Sequence, residues 1–281
     1  LHKEYRRQRQ MCIRDSFIAG AGVAEAYHMR WFLQHLLQDG SVEITPHGTG
    51  IVGLSIAGPN ARRLLADVTS EDVSANAFTF MDIREMDIGQ APCLVGRVSY
   101  TGDLGYEIWM EPEYQRHVLE VLLGAGERYS IRLFGARALN ALRLEKNFGS
   151  WAREYRPVYG PYEAGLGRFI ALKKEADFIG KAAATVEKEN GSSMRLRTFV
   201  VDANDADVIG DEPIWFRGDV KGWVTSGGYA HASDASVAMG YVPVDCANEV
   251  EGWEIEILGE RRSARLQMIP LFDPKAERMR S

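Results

Sequence analysis

The sequence changes character near residue 190, and this change limits the possible folds more than any other feature. Up to that point, short apolar segments alternate with segments rich in helix-forming residues, such as 136–146. Beyond it, the chain consists of short apolar runs separated by turns that contain Gly, Asp or Pro. Closely spaced strands of this kind are typical of small antiparallel barrels and sandwiches. The pattern therefore predicts an α+β domain over residues 17–190 and a C-terminal antiparallel β domain over residues 191–281.

Local patterns predict the individual elements. Apolar residues at helical spacing, with Gly or Pro at segment ends, predict helices at 21–38, 60–67, 114–123, 136–146 and 181–188. Apolar, β-rich segments predict strands at 51–57, 91–100, 106–110, 196–201, 220–225, 237–242, 253–257 and 263–268. Residues 1–16 are basic and lack a clear period, so we predict a non-native or disordered tail. We also expect that the natural N-terminal part of the protein is missing.

Composition and charge exclude several classes of protein. The formal net charge is -6, which argues against a general nucleic-acid-binding protein, because such proteins usually carry a basic face. The three cysteines are far apart and form no CxxC pair. We therefore expect neither a disulfide framework nor a structural zinc site, and we predict a reducing, cytoplasmic location. No apolar run reaches the roughly 18 residues that a membrane helix requires, so we predict no membrane span.

Familiar catalytic and nucleotide-binding motifs are absent from the sequence. We find no GxGxxG or GxxxxGKS loop, no HExxH pair and no GxSxG turn. The six histidines are scattered without the spacing of metal ligands, so we predict no metal site. Without a GxGxxG loop, we do not expect this chain to bind FAD in the manner of a Rossmann domain.

The segment RVSYTGDLGYEIWM, residues 97–110, carries the most informative polar residues. It predicts a hairpin in which Tyr100 enters the connection and Glu107 leaves it, with Glu107 on the opposite strand face from Tyr106. An aromatic ring and a carboxylate in one pocket suit a pterin, whose 2-amino group and N3–H form a donor pair that a carboxylate accepts. The alternative is an exposed hairpin with a solvated glutamate and a packed tyrosine, and the residues alone favour this alternative.

Three further positions could bind a ligand, although each also has a more usual explanation. Arg137 lies in the first turn of a predicted helix, where the helix dipole does not favour a cation, so it could bind a carboxylate. A surface ion pair is the more usual role of such an arginine. Glu163 lies close to a proline and is either a ligand group or a helix-start residue. Tyr229 follows the pair Gly227-Gly228, which is either a close approach over a ligand or a turn.

Several short strings occur in an order that identifies a family. They are SYTGDLGYEI (99–108), GARALNALRLEKNFGSW (135–151), PYEAGLGRF (161–169), DFIGKAA (177–183), VTSGGY (224–229) and MGYVP (239–243). Taken together, they resemble the glycine-cleavage T-protein (aminomethyltransferase) family. Within that family, AEAYHMRWF (24–32) and FTFMDIREMDIG (78–89), with Ala138 after the helix arginine, resemble the dimethylglycine and sarcosine dehydrogenases. The Lys-Gly-Cys string of the tRNA-modifying relatives is absent.

The resemblance implies a partial aminomethyltransferase folate-binding fold over the first domain, followed by a C-terminal antiparallel β-barrel, with tetrahydrofolate as the ligand. Tyr100 would contact the folate and Glu107 would hold the pterin edge, while Arg137 and Tyr229 would supply further contacts. The family's catalytic aspartate is expected in a missing N-terminal segment. Asp72 corresponds to a later copy of its local pattern, so no catalytic residue is assigned.

The resemblance also implies a function. We expect the tetrahydrofolate-binding C-terminal part of an FAD-dependent dimethylglycine or sarcosine dehydrogenase-like protein, with the FAD confined to a missing flavin domain in cis. Such a protein transfers a one-carbon unit from an N-methyl amine to tetrahydrofolate and forms 5,10-methylene-tetrahydrofolate. One alternative is a stand-alone aminomethyltransferase or folate-dependent demethylase. Another is a non-catalytic folate-fold module that mediates subunit contacts.

Overall fold

The chain divides into two units in a computed structural model that describes residues 16–20 and 22–281. The boundary falls between Ile51 and Val52, and each unit is described by itself. None of the helices that the structure describes is long and apolar enough to cross a membrane.

The first unit contains one α-helix in its described part, α1 (Glu25–His35). Its side chains are at most partly buried, and the backbone is already extended at Leu36. The helix is therefore shorter than the predicted 21–38. The predicted tail lies outside the described residues, except for Ser16.

A four-stranded antiparallel sheet, in the order β1-β4-β3-β2, opens the second unit. Its strands are β1 (Val52–Ala57), β2 (Ile83–Ile88), β3 (Ala91–Gly96) and β4 (Gly105–Met110). Helices α2 (Ala61–Val68) and α3 (Gln115–Gly126) contribute to the apolar core on one face of this sheet. Tyr106, Ile108 and Met110 alternate along β4 and all enter that core, as the sequence pattern predicts.

The opposite side of the sheet is termed here the outer face. In an antiparallel pair, residues directly opposite each other lie on the same face. The register therefore places six residues of β1, β3 and β4 on the outer face: Gly53, Ser55, Leu94, Gly96, Glu107 and Trp109. Small residues on β1 and β3 thus border the two large side chains of β4.

The C-terminal region forms a closed antiparallel barrel in the order β10-β5-β8-β7-β6-β9, which confirms the predicted architecture. Its strands are β5 (Met194–Val201), β6 (Pro213–Phe216), β7 (Asp219–Ala230), β8 (Ala235–Pro243), β9 (Trp253–Ile257) and β10 (Glu260–Gln267). Phe199, Ala238 and Leu266 belong to the core inside the barrel. The side chains of β8 that alternate with Ala238, such as Val237, therefore point outward.

Helix α4 (Ala136–Glu145) packs against the outside of the barrel. Leu144 of α4 is fully buried and contacts Ala230, Val237 and Met239. After α4 the chain runs through turns to α5 (Lys181–Asn190), and a final short helix, α6 (Glu277–Arg280), ends the described structure. Because α4 follows the sheet domain and touches the barrel, it lies at the junction of the two parts of this unit.

Candidate functional site

The connection between β3 and β4, residues 97–104, packs against the end of α4. Gly102 has a φ of +80°, a region that side chains rarely adopt. A Cβ atom at Gly102 would lie 2.8 Å from Cγ and Cδ of Lys146. Both the backbone conformation and this close approach therefore require glycine. The connection brings Tyr100 next to the segment that follows α4.

Tyr100 is half-buried and held by two contacts. Its hydroxyl donates a hydrogen bond to the carbonyl oxygen of Gly149 over 2.9 Å. Its ring stacks on Phe148, with ring centroids 6.3 Å apart and planes 10° apart. Burial raises the pKa of the Tyr100 hydroxyl, so it stays a hydrogen-bond donor at neutral pH. Tyr100 is thus fixed against residues 148–149 and not free in solvent.

Glu107 is half-buried on the outer face, opposite Ser55 of β1 and Gly96 of β3. Within the described part of the chain, no hydrogen bond or ion pair to its carboxylate is found. Burial raises the pKa of this carboxyl, because the charged form loses water without gaining a cation. A half-buried carboxylate without a protein partner is a candidate ligand group.

Trp109 is the aromatic residue of β4 that shares the outer face with Glu107. A Cβ atom at Gly53 would lie 3.2 Å from its ring, and one at Gly96 would lie 2.9 Å from it. These two glycines therefore leave the space that the indole occupies. The sequence pattern places Trp109 beside Glu107, but the predicted site includes only Tyr100 as its aromatic member.

The predicted pairing of Tyr100 with Glu107 in one pterin pocket stays a prediction. Neither side chain is sealed in the core, since each is half-buried. The contacts of Tyr100 are with residues 148 and 149, whereas Glu107 faces outward from the middle of the sheet. Among the described residues, Tyr100 and Glu107 share no hydrogen-bond or ring-stacking partner.

Arg137 occupies the first turn of α4, as predicted, and is exposed. Its guanidinium forms no hydrogen bond or ion pair within the part of the chain that the structure describes. The surface ion pair considered from the helix pattern is therefore not formed in that part. A role in binding an anionic ligand stays a prediction.

Tyr229 lies at one end of the barrel. Strand register pairs Tyr229 with Ser236, and Ser236 with Val201 of the barrel core, so Tyr229 lies on the inner side. Its hydroxyl donates a hydrogen bond to Asp234. Tyr229 lines a cavity of about 550 Å³ at this mouth of the barrel. The contacts described for Tyr229 and Tyr100 have no residue in common, and the folate role of Tyr229 stays a prediction.

A buried charge cluster that the sequence reading missed joins α4 to the barrel. Nη1 of Arg143 lies 3.1 Å from Oε2 of Glu154, and both side chains are at most 3% exposed. The Ser150 amide donates to Oε2 over 2.6 Å, and the hydroxyls of Thr225 and Ser226 each donate to Oε1 over 2.5 Å. Glu154 therefore has donors from the loop, from α4 and from β7, as a buried carboxylate requires.

Arg143 uses its remaining donors on its own side of the cluster. Nε and Nη2 donate to the side-chain oxygen of Asn140, over 3.1 and 2.8 Å. Nη1 also donates to the carbonyl of Phe148 over 3.0 Å. Arg143 and Leu144 are adjacent in sequence and both are buried. The end of α4 is covered on both sides, by the barrel and by the loop that follows it.

Two more buried charges follow on the same helix end. The Glu145 carboxylate accepts hydrogen bonds from the Ala232 amide at 3.0 Å and the Ser233 hydroxyl at 2.8 Å. Lys146 forms a buried ion pair with Asp273, with Nζ and Oδ2 3.0 Å apart. The C-terminal end of α4 is thereby bound to a barrel turn and to the C-terminal segment.

The two open alternatives at Glu163 and Gly227-Gly228 have structural outcomes. Glu163 does not start a helix, because its segment forms turns. Its carboxylate accepts hydrogen bonds from the amides of Gly160 and Met194, at 3.0 and 3.1 Å, and so joins this turn to β5.

Gly227 and Gly228 lie within β7 and not in a turn. A Cβ atom at Gly227 would lie 2.6 Å from Val208, so this glycine permits a close backbone approach.

Comparison with family models decides the family. A model of the GCVT N-terminal domain matches residues 12–174, and a model of the glycine cleavage T-protein C-terminal barrel domain matches residues 195–273. The chain belongs to the glycine cleavage T-protein family. Among the described residues of this T-protein family member, no group of three or more His, Cys, Asp or Glu side chains could hold a metal ion.

Individual relatives of this T-protein family member include longer proteins. The chain is 39% identical over 264 residues to the mitochondrial dimethylglycine dehydrogenase of Mus musculus. This match covers 94% of this chain and 30% of that protein. It is 28% identical to the mitochondrial pyruvate dehydrogenase phosphatase regulatory subunit of Mus musculus, covering 92% of this chain and 31% of that protein. The chain thus spans less than a third of these curated relatives.

A solved structure of the family has the same fold. The crystal structure of aminomethyltransferase T of the glycine cleavage system from Bartonella henselae matches with a TM-score of 0.70 at 27% identity. The match covers 80% of this chain and 60% of that chain. The mixed sheet-and-helix domain followed by a closed barrel is therefore the aminomethyltransferase architecture.

Proposed function

We propose that this chain is the tetrahydrofolate-binding part of an FAD-dependent dehydrogenase that demethylates an N-methylated amine such as dimethylglycine or sarcosine. The similarity to dimethylglycine dehydrogenase over 94% of the chain supports this assignment. A flavin domain in cis would oxidise the N-methyl group. This chain would hold tetrahydrofolate so that the one-carbon unit is captured as 5,10-methylene-tetrahydrofolate.

The carboxylate of Glu107 is the observation that carries the proposal. It is half-buried, has no described protein partner, and its pKa is raised by burial. Such a carboxylate destabilises the folded chain unless a ligand supplies hydrogen-bond donors. The 2-amino group and N3–H of a pterin form a donor pair that matches the two carboxylate oxygens. The uncharged neighbours Ser55 and Gly96 leave the carboxylate without a competing cation.

The remaining residues would bind and orient the folate. Tyr100 supplies a fixed aromatic ring, because Gly149 and Phe148 hold it. Arg137 supplies a cation with no described partner, which suits the carboxylates of the folate glutamate tail. Holding the folate close to the one-carbon donor would supply much of the rate enhancement, since proximity replaces an encounter in solution. No residue of this chain is assigned a proton-transfer role.

Isothermal titration with tetrahydrofolate under reducing, oxygen-free conditions tests this function. Glu107→Gln should weaken binding about tenfold to a hundredfold, because hydrogen bonds to a charged group contribute roughly 1.5–3 kcal/mol. Glu120→Gln is the matched control, since Glu120 is an exposed residue of α3, on the other side of the sheet. Equal affinities of both variants would refute the pterin role of Glu107. A folded wild-type chain that ignores tetrahydrofolate would refute the function itself.

Two other functions have support from particular relatives. A stand-alone aminomethyltransferase fits the match to the Bartonella henselae structure, and an in-frame flavin-domain coding region directly upstream would exclude it. A non-catalytic module that mediates subunit contacts fits the similarity to the pyruvate dehydrogenase phosphatase regulatory subunit. A purified chain that assembles with a partner but binds no folate would favour this second alternative.

A further inference from the structure

We propose that Glu154 is a positioning residue that fixes the Tyr100 ring and thereby sets the affinity for folate. The folate part of this inference rests on the proposed function. Glu154 is fully buried and lies in a loop without regular structure, so its carboxylate is not needed to form a helix or strand. Its contacts converge on the residues that hold Tyr100.

The first step connects Glu154 to the loop segment 148–150. Oε2 accepts a hydrogen bond from the Ser150 amide over 2.6 Å and an ion-pair hydrogen bond from Nη1 of Arg143 over 3.1 Å. The same Nη1 donates to the carbonyl of Phe148 over 3.0 Å. Glu154 thus binds residue 150 directly and residue 148 through Arg143. Charge-assisted hydrogen bonds in a buried site hold these backbone groups more firmly than neutral ones.

The second step connects the loop segment to Tyr100. Phe148 stacks on the Tyr100 ring, and Gly149 accepts the hydrogen bond from the Tyr100 hydroxyl. The Gly149 amide also donates to the hydroxyl of Tyr155 over 3.2 Å. A Cβ atom at Gly149 would lie 2.4 Å from the Tyr155 ring, so this turn is tightly packed. Tyr100 therefore contacts Phe148 and Gly149. These two residues lie between the bond from Arg143 to Phe148 and the bond from Ser150 to Glu154.

The third step connects the second carboxylate oxygen of Glu154, Oε1, to the barrel. Oε1 accepts hydrogen bonds from the hydroxyls of Thr225 and Ser226 on β7. The Glu154 carbonyl accepts one from the Tyr241 hydroxyl of β8 over 2.7 Å. The barrel is a closed hydrogen-bonded sheet, so it serves as the support from which Glu154 holds the loop. A change at Glu154 should consequently move Tyr100 without unfolding the barrel.

Glu154→Gln and Glu145→Gln form a matched pair for the test. Both residues are fully buried glutamates that bind hydroxyl and amide donors, but Glu145 binds the barrel turn at 232–233 and not the loop at 148–150. In Glu154→Gln the side chain keeps its size but loses its charge, so the bonds from the Ser150 amide and Arg143 are no longer charge-assisted and buried Arg143 loses its countercharge. We expect tetrahydrofolate binding about tenfold weaker in Glu154→Gln, and within about twofold of wild type in Glu145→Gln.

A double-mutant cycle separates positioning from general destabilisation. In a Tyr100→Leu background, both the hydrogen bond to Gly149 and the ring stacking on Phe148 are already lost, so Glu154→Gln should weaken folate binding by a much smaller factor than in wild type. Equal factors in both backgrounds would overturn the proposal, as would wild-type affinity in folded Glu154→Gln. If Glu154→Gln does not fold, Arg143→Lys keeps the positive charge and loses the bond to Phe148. It should show the same dependence on Tyr100, and independence would overturn the proposal.

A fluorine measurement reports on Tyr100 without folate. The eleven tyrosines are replaced with 3-fluorotyrosine, and the Tyr100 signal is the one that Tyr100→Phe removes. It should shift or broaden in Glu154→Gln and remain in place in Glu145→Gln. A Tyr100 signal unchanged in Glu154→Gln overturns the positioning role. If wild type binds no folate but the signal moves as expected, the proposed function fails while the positioning of Tyr100 stands.

Discussion

Replacing Arg143 with methionine tests the buried cluster that joins α4 to the barrel. Methionine keeps much of the length and apolar surface of the arginine side chain, so the change removes mainly the guanidinium. The ion pair with Glu154 and the two hydrogen bonds to Asn140 would be lost together. The Glu154 carboxylate would remain buried without a countercharge.

The expected cost follows from what Glu154 retains. Removing one partner of a buried ion pair costs roughly 3–5 kcal/mol, mostly because the other charge stays buried. Glu154 would still accept hydrogen bonds from the Ser150 amide and from the hydroxyls of Thr225 and Ser226. Because these donors remain, we expect the free energy of unfolding to fall by about 3 kcal/mol, the lower end of that range.

Urea unfolding followed by tryptophan fluorescence and circular dichroism measures this loss. Arg153→Met is the matched control, because Arg153 lies next to Glu154 in the loop but its side chain is about half exposed. Its Nη1 lies 3.5 Å from Oδ2 of the exposed Asp211. An exposed pair of this kind contributes about 0–1 kcal/mol, so the control should stay within that range. If Arg143→Met lowered the unfolding free energy no more than Arg153→Met, the argument that Arg143 and Glu154 form a buried cluster would be refuted.

Three further outcomes are expected. Burial raises the pKa of the Glu107 carboxyl above its usual 4.5, so ionisation of this group destabilises the fold. Glu107→Gln should therefore raise the urea midpoint at about pH 8, where the carboxyl is charged. This gain should disappear at about pH 4, where the carboxyl is largely protonated. Gly102→Ala should cost about 1–3 kcal/mol, because φ is +80° and Lys146 is close, whereas Gly124→Ala in exposed helix should gain about 0.5–1 kcal/mol in the same urea assay. Leu144→Ala should cost roughly 2–5 kcal/mol in thermal or urea unfolding, since the side chain is fully buried against the barrel; a loss under 1 kcal/mol would contradict that packing.

The sequence predicts most of the fold because its elements have strong periodic patterns. The α+β domain, an antiparallel C-terminal β domain, and the alternation of Tyr106, Ile108 and Met110 follow from apolar spacing, whereas the choice of a barrel over a sandwich rests on the family resemblance. The missed strands lack this signal. β2 (Ile83–Ile88) is an edge strand with three charged residues, and β6 (Pro213–Phe216) is four residues long and begins with proline.

The candidate site is less predictable than the fold. Glu107 is accessible to sequence reasoning because it lies in a hairpin with alternating faces. Glu154 is not, because it lies in an irregular loop and its partners Thr225 and Ser226 are 71 and 72 positions away in sequence. Burial of Arg143 likewise depends on the loop that covers α4. Contacts of this range carry no local period, so no pattern within a window of sequence can reveal them.

The charged end of α4 has a consequence for how the second unit loses its structure. Arg143, Glu145 and Lys146 each bind a different segment, namely the following loop, a barrel turn and the C-terminal segment. Separating α4 from the barrel would expose all three charges of the helix end at once. Because Tyr100 and Gly102 of the sheet domain contact the same helix end, residues 52–281 should unfold in one cooperative transition, with the slowest amide protons of β4 and β8 exchanging through the same global opening.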